Sequence, residues 1–203
     1  MPNLEQHTYH SPTFEGIVND AINFFTLSPV IDLPPTFSFN GSGVYGLYYI
    51  GDYELYEPIS KKNQQSMNYP IYIGKAVPEG WRTARAVLAK SPVLYRRLNE
   101  HSRNIEQSEN LNLNDFRCRF IILYGIESDL VVPIEAELIR KYTPLWNSFI
   151  DGFGNHDPGS GRYNQSMSEW DTIHPGRGWV VKLTGKPPKT DEIKNKIKSF
   201  LEL

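Results

Sequence analysis

The chain has 203 residues, 39% hydrophobic, 22% charged and 13% aromatic, with a formal net charge of −2; that is ordinary globular composition, enough for one domain with a real core plus decorations. A single cysteine, Cys118, excludes an intramolecular disulfide and a cysteine-built zinc site, and fits a reducing cytoplasm. No apolar run approaches the roughly 20 residues of a membrane span and no signal-peptide layout opens the chain, so a soluble protein with no membrane association is expected.

Residues 1–10 read as a polar arm. Ser11-Pro12 then offers an N-cap with proline in the first turn, and Phe14, Ile17, Val18, Ala21, Ile22 and Phe25 follow at helical spacing. A helix over about 12–26 is predicted, then a loop over 28–42 marked by Pro29, Pro34, Pro35 and Gly41. Gly43 to Ile50 is β-rich and aromatic, a strand. Residues 52–68 are polar and irregular, and Pro70 to Gly74 gives a second, short strand. A loop follows over 76–86. A helix covers about 92–106, with Val93, Leu94, Leu98 and Ile105 on its apolar side.

Phe116 to Tyr124 alternates and then turns wholly apolar, a strand buried on one or both faces. Pro133 to Tyr142 reads as a helix with Ile134, Leu138 and Ile139 as its buried stripe. The glycine- and proline-rich stretch after Asn147 predicts no regular structure before Trp179-Val180-Val181, although Phe153, Tyr163 and Trp170 argue against disorder. A last helix over about 189–202 turns Ile193, Ile197, Phe200 and Leu201 inward. The expected fold class is α+β: a small, mostly antiparallel three-stranded sheet flanked by helices.

Charge is uneven along the chain. Residues 1–60 hold seven acidic side chains and no Lys or Arg, residues 61–103 nine basic and two acidic, and the rest twelve basic and fourteen acidic. Nucleic-acid binding depends on a local basic surface that displaces counterions, so the overall charge does not exclude it.

Two motif blocks carry chemistry. Gly43-Val44-Tyr45 followed by Tyr72-Ile73-Gly74 resembles the paired strand signature of the GIY-YIG nucleases, with Val for the usual Ile. Glu135 is followed by Leu138-Ile139, Pro144 and Asn147 at offsets similar to the glutamate helix and terminal asparagine of that family, the nuclease module of nucleotide-excision repair included. Between them, Arg97 and His101 lie four apart and share a helix face. The resemblance covers about residues 43–147. It implies a single nuclease domain over 1–203, with an N-terminal arm and helix (1–42) and a DNA-contacting loop and C-terminal helix (148–203).

The resemblance also implies roles. Phosphodiester hydrolysis needs an in-line water, a base, positive charge on the developing phosphorane and help for the leaving 3′-oxygen. A lone carboxylate completed by water and phosphate oxygens suits Mg²⁺, which makes Glu135 the metal ligand, with Glu137 as its rival and Mn²⁺ as a substitute ion. Arg97 suits the scissile phosphate because its fork of donors stays charged; adjacent Arg96 is the competing assignment. Tyr45 is the family's base, a role requiring nearby cations such as His101, Lys75 or the metal to depress a phenol's ordinary value near 10; His101 is the alternative base. Tyr72 would position water or phosphate, Asn147 would orient the site, and Lys75 would support Tyr45 or hold phosphate.

Arginine reads guanine in the major groove. Trp81, Arg82 and Arg85, with Asn155, His156, Arg162 and Arg177 in the glycine-rich loop, are therefore the candidate DNA contacts, to bases or phosphates. The compact core with elaborated loops resembles the restriction members, especially those cutting GC-rich palindromes such as CCGCGG. That implies a type II enzyme of a prokaryotic cytoplasm, making double-strand breaks as a homodimer. The aromatic N-terminal helix is its expected dimer contact, and a companion DNA methyltransferase its genomic neighbour but not a physical partner. A nicking repair or mobile-element nuclease, and a catalytically dead DNA-binding module, are the alternatives.

Overall fold

The computed structural model describes residues 2–78, 80 and 91–202. At its centre lies an antiparallel sheet in the order β1-β4-β2-β3, formed by Val30–Asp32, Ser42–Tyr49, Tyr72–Ala76 and Phe116–Leu123 numbered along the chain. The interior strands β2 and β4 pair in the register Tyr45 to Phe120, and β2 pairs with β3 in the register Tyr45 to Gly74. Every residue of β2 is buried, which explains its unbroken apolar and aromatic run.

Strand alternation sends side chains to two separate cores. Val44, Ile73, Ile121 and Leu123 face helices α1 (Phe14–Leu27) and α4 (Val131–Tyr142), meeting Val18, Ile22, Phe25, Ile134 and Leu138. Tyr45, Leu47, Tyr49, Phe116 and Cys118 face the other way, onto the core that includes α3 (Val93–Gln107) and the C-terminal segment. Helix α2 (Glu57–Gln65) closes one end of that second core. The α+β class and the flanking helices are as the sequence predicts.

Three elements differ from expectation. The stretch 28–42 contains the edge strand β1, which adds a fourth strand by pairing Ile31 with Cys118. It is three residues long and flanked by prolines, too short to display a period. Helix α2 falls where a polar, irregular segment was expected. It buries Ile59, and Asn63, whose amide serves the Tyr49 carbonyl and both backbone groups of Tyr69. The short helix α6 (Glu169–Ile173), which follows α5 (Leu145–Ser148), sits inside the expected loop. Its start is a reciprocal cap, Ser168 Oγ accepting from the Asp171 backbone and donating to its carboxylate. The expected order at Trp179–Val181 resolves into a 3₁₀ turn over Val180–Lys182, before helix α7 (Thr190–Leu201).

Two buried polar centres bind the C-terminal segment to the core. His174 is fully buried between Tyr56 Oη at 2.5 Å and Asn110 Oδ1 at 2.8 Å, and Trp146 donates to the same Tyr56 hydroxyl. Arg177 is 1% exposed. Its Nε donates to Asp171 Oδ1 at 2.6 Å, and its terminal nitrogens donate to the carbonyls of Gly152, Phe153 and Asn155. The rings of Trp170 and Trp179 flank the guanidinium. This corrects the expectation of a DNA contact: all three nitrogens are spent inside the loop, so Arg177 organises residues 152–155 instead.

Two outcomes follow from these centres. Breaking one side of a buried ion pair strands the other charge, so Arg177→Met should cost about 3–5 kcal/mol in urea unfolding; a loss below ~1 kcal/mol would contradict the assignment. Burial lowers the His174 pKa to about 3. The unfolded chain takes up a proton near pH 6.5 that the fold refuses, so this contribution is complete above that value and is lost progressively toward pH 3. Between pH 7 and 5 the wild type should lose about 2 kcal/mol more than His174→Gln; equal losses would show His174 is not held neutral.

Candidate active site

The β2–β3 register builds the site. Tyr45 lies opposite Gly74 and Leu47 opposite Tyr72, so Tyr45 and Tyr72 share the α3 face of the sheet. A Cβ at Gly74 would collide with the Tyr45 hydroxyl; glycine there lets the phenol run across the edge strand. Helix α3 meets this face with the stripe Leu94, Leu98, His101 and Ile105, all fully buried. Tyr45 Oη and His101 Nε2 are 2.6 Å apart.

The electrostatics of that pair correct one expectation. Burial raises the Tyr45 pKa well above 10, Tyr72 adding to it, and Arg97 opposes without reversing it. His101 is pushed well below its ordinary value, first by burial and then by the Arg97 charge. His101 is therefore a neutral imidazole, not a cation that acidifies Tyr45. One proton lies between Oη and Nε2, and His101 Nδ1 has no hydrogen-bond partner.

Arg97, one turn before His101, donates to Glu100 Oε2 at 2.9 Å, to the Gly154 carbonyl at 3.1 Å and to His156 Nε2 at 2.7 Å. Its neighbour Arg96 donates to Ser91 Oγ on the same cleft, so the two arginines have different partners. Tyr72 lies among Tyr45, His101 and Phe153 at ring-centroid distances of 6.2, 5.2 and 5.0 Å. Its hydroxyl is also raised, chiefly by burial, with Arg97 pulling the other way.

Lys75 pairs with Val44 across the strands, which sends it to the opposite face from Tyr45. There it forms an ion pair with Glu135 of α4. The expected support of Tyr45 by Lys75 is thus replaced by a carboxylate contact. Glu137 instead bonds Arg140, leaving Glu135 as the carboxylate beside Lys75. Asn147, in α5, bonds both backbone groups of Ile73, accepting from its N–H at 2.7 Å and donating to its carbonyl at 2.8 Å. It completes the open edge of β3 as a further strand would.

Beside these groups opens a cleft of about 720 Å³ whose walls include Lys75, Arg96, Arg97, Glu100 and His156. Tyr45, Tyr72, Arg97 and His101 occupy one side of the β3 edge, Lys75 and Glu135 the other, and Asn147 holds the edge itself. Asn155 and Arg162 line a second cavity of about 750 Å³, which His156 shares with the first. Trp81, Arg82 and Arg85 lie outside the described residues. Sequence reasoning missed Phe153, stacked on His101 at 4.6 Å, and Gly154; neither carries a local signal. It also missed Glu100, whose spacing of three from Arg97 was visible.

Among the described residues no group of three or more His, Cys, Asp and Glu side chains could hold a metal ion. The donor set fits a cation that takes one carboxylate and completes its shell with water and phosphate. Glu135 already accommodates positive charge, supplied by the Lys75 ammonium. No helix of the described residues is long and apolar enough to cross a membrane.

Comparison with curated proteins gave no match. The family model described as the Eco29kI GIY-YIG domain matches residues 37–201, which takes in both strand motifs, the Arg97/His101 helix, the glutamate helix and the C-terminal segment. The chain belongs to the Eco29kI GIY-YIG family of restriction endonucleases.

Proposed function

We propose that the chain is a type II endonuclease that hydrolyses both strands of double-stranded DNA at a palindromic, GC-rich site, with Mg²⁺ as cofactor. The observation that carries this reading is the buried Tyr45–His101 pair beside Arg97, with Glu135 across the strand edge. A phenol held so strongly protonated cannot wait as a phenolate. It serves as a base by taking the water proton while its own passes to His101 Nε2, which is neutral and 2.6 Å away. The proton movement is thus a relay, with Tyr45 contacting the water and His101 storing the charge.

Arg97 binds the scissile phosphate through a donor exchanged from Glu100 while the loop holds the rest of the guanidinium. Tyr72 aligns the phosphate or the water. Asn147 fixes β3 and so the spacing between the tyrosines. Glu135 holds the ion, which when bound offsets charge on the phosphate and the leaving 3′-oxygen; Mn²⁺ accepts the same oxygen donors. Lys75, which lines the cleft with Arg97, would pair with phosphate. The intact set speaks against a dead binding module.

Cutting both strands with one site per chain calls for a two-fold dimer. Helix α1 supports this: its inner face fills the core, while Phe14, Ile17, Phe24 and Leu27 stay 48%, 48%, 66% and 85% exposed. A prokaryotic cytoplasm and a companion methyltransferase that protects host sites complete the reading.

Plasmid digestion with Mg²⁺ tests it. Discrete linear fragments are expected, abolished by EDTA and lowered at least ~100-fold by Glu135→Ala. Nicked circles alone would favour a single-strand nuclease, and bound but uncut DNA would remove the catalytic assignments.

A further inference from the structure

The glycine-rich loop touches the active site at three points within four residues. Phe153 stacks on His101, the Gly154 carbonyl accepts from Arg97, and beyond them His156 Nε2 accepts from Arg97 at 2.7 Å. These contacts are not adjustable one by one. Buried Arg177 ties the carbonyls of Gly152, Phe153 and Asn155 to a single guanidinium, so the segment moves as a unit. His156 follows directly on this tied segment.

His156 also stands on the boundary between two cavities. One is the active-site cleft. The other is walled by Asn155, Asp157, Arg162, Gln165 and Trp179. Amides, a guanidinium, a carboxylate and an indole are the groups that bond base edges and stack on bases. Two further acids, Asp151 and Glu169, line it; Lys182 pairs with Asp157 and Lys196 with Glu169, so the carboxylates do not make the cavity uniformly repulsive to a nucleic acid.

We propose that the second cavity takes a nucleotide of the target DNA and that His156 is a positioning residue which makes Arg97 competent only when that nucleotide is seated. This rests on the reading of Arg97 as the phosphate ligand. The bond to His156 requires an unprotonated Nε2, and it fixes one terminal nitrogen of Arg97 while Gly154 fixes the other. Displacing the loop therefore turns the guanidinium plane. A misplacement of about 1 Å in a catalytic group can cost ~100-fold in rate without a matching loss of binding.

The test compares wild type, His156→Leu, His156→Gln, Arg162→Ala and Arg97→Ala on the cleaved site, mapped from plasmid fragments, and on single-mismatch sites. Leucine fills the space without an acceptor, whereas the glutamine oxygen can still receive the Arg97 N–H. His156→Leu should lower the single-turnover rate by roughly 10- to 100-fold, with DNA affinity in EDTA changed less than about 3-fold. His156→Gln should recover most of the rate. Arg162→Ala should slow the matched site more than the mismatched ones, narrowing their ratio by at least about 10-fold. Wild-type rates in His156→Leu, no recovery in His156→Gln, or an unchanged ratio in Arg162→Ala would overturn the proposal. Wild-type cleavage by Arg97→Ala would overturn the site reading as well.

Discussion

The hydrogen bond between Tyr45 and His101 is the contact on which the rest of the site depends. It spans from an interior strand to the helix above it, and both partners are completely buried. Burial is the largest influence on their resting protonation: it keeps the phenol neutral and the imidazole neutral, because a resting charge on either would be stranded away from water. The surrounding elements serve this pair. Gly74 leaves room for the phenol, Phe153 covers the imidazole, and Arg97 one turn away supplies the permanent charge that the resting pair lacks.

Catalytic groups are gathered here around the edge of a strand. Strand β3 contributes Tyr72 to one face and Lys75 to the other, and Lys75 lines the cleft with Arg97 of α3. An exposed strand edge is ordinarily a liability, since its backbone groups invite another chain. Asn147 removes part of that liability by bonding both backbone groups of Ile73, and the same contact sets the height of β3 against α4 and its Glu135. On the far side, the loop bolted by Arg177 and Asp171 forms the remaining wall. That ion pair lies between two tryptophans, where its cost of burial is offset by three hydrogen bonds to loop carbonyls.

The sequence was legible where local physics and the site's chemistry coincided. The periodicity of α3 foretold both its buried stripe and the shared face of Arg97 and His101, and the offsets from Glu135 to Asn147 survived folding as one unit. Strand β1 was hidden by its prolines, and α2 by a polarity that conceals one buried asparagine. The cap Ser168 to Asp171 was a readable start signal for α6, obscured by the glycines around it. What one sequence could not reveal was which polar loop residue turns inward. Arg177 and Arg162 look alike as letters; Arg177 is swallowed by carbonyls from twenty-odd residues upstream, while Arg162 faces an open cavity. The sign of the Tyr45 shift was hidden for a related reason. Counting nearby cations suggested a more acidic phenol, but desolvation outweighs them once the residue is known to be buried.

Nitrogen-15 NMR of histidine-labelled protein, with His101→Gln used for assignment, addresses the neutral Tyr45–His101 pair directly. The account predicts a neutral His101 at pH 6, below the ordinary imidazole value of about 6.5, with a proton on Nδ1 and an unprotonated, hydrogen-bonded Nε2. It also predicts that Tyr45→Phe shifts the Nε2 resonance. An imidazolium at that pH, or a proton resident on Nε2, would contradict the relay and leave Tyr45 without a place to send its proton.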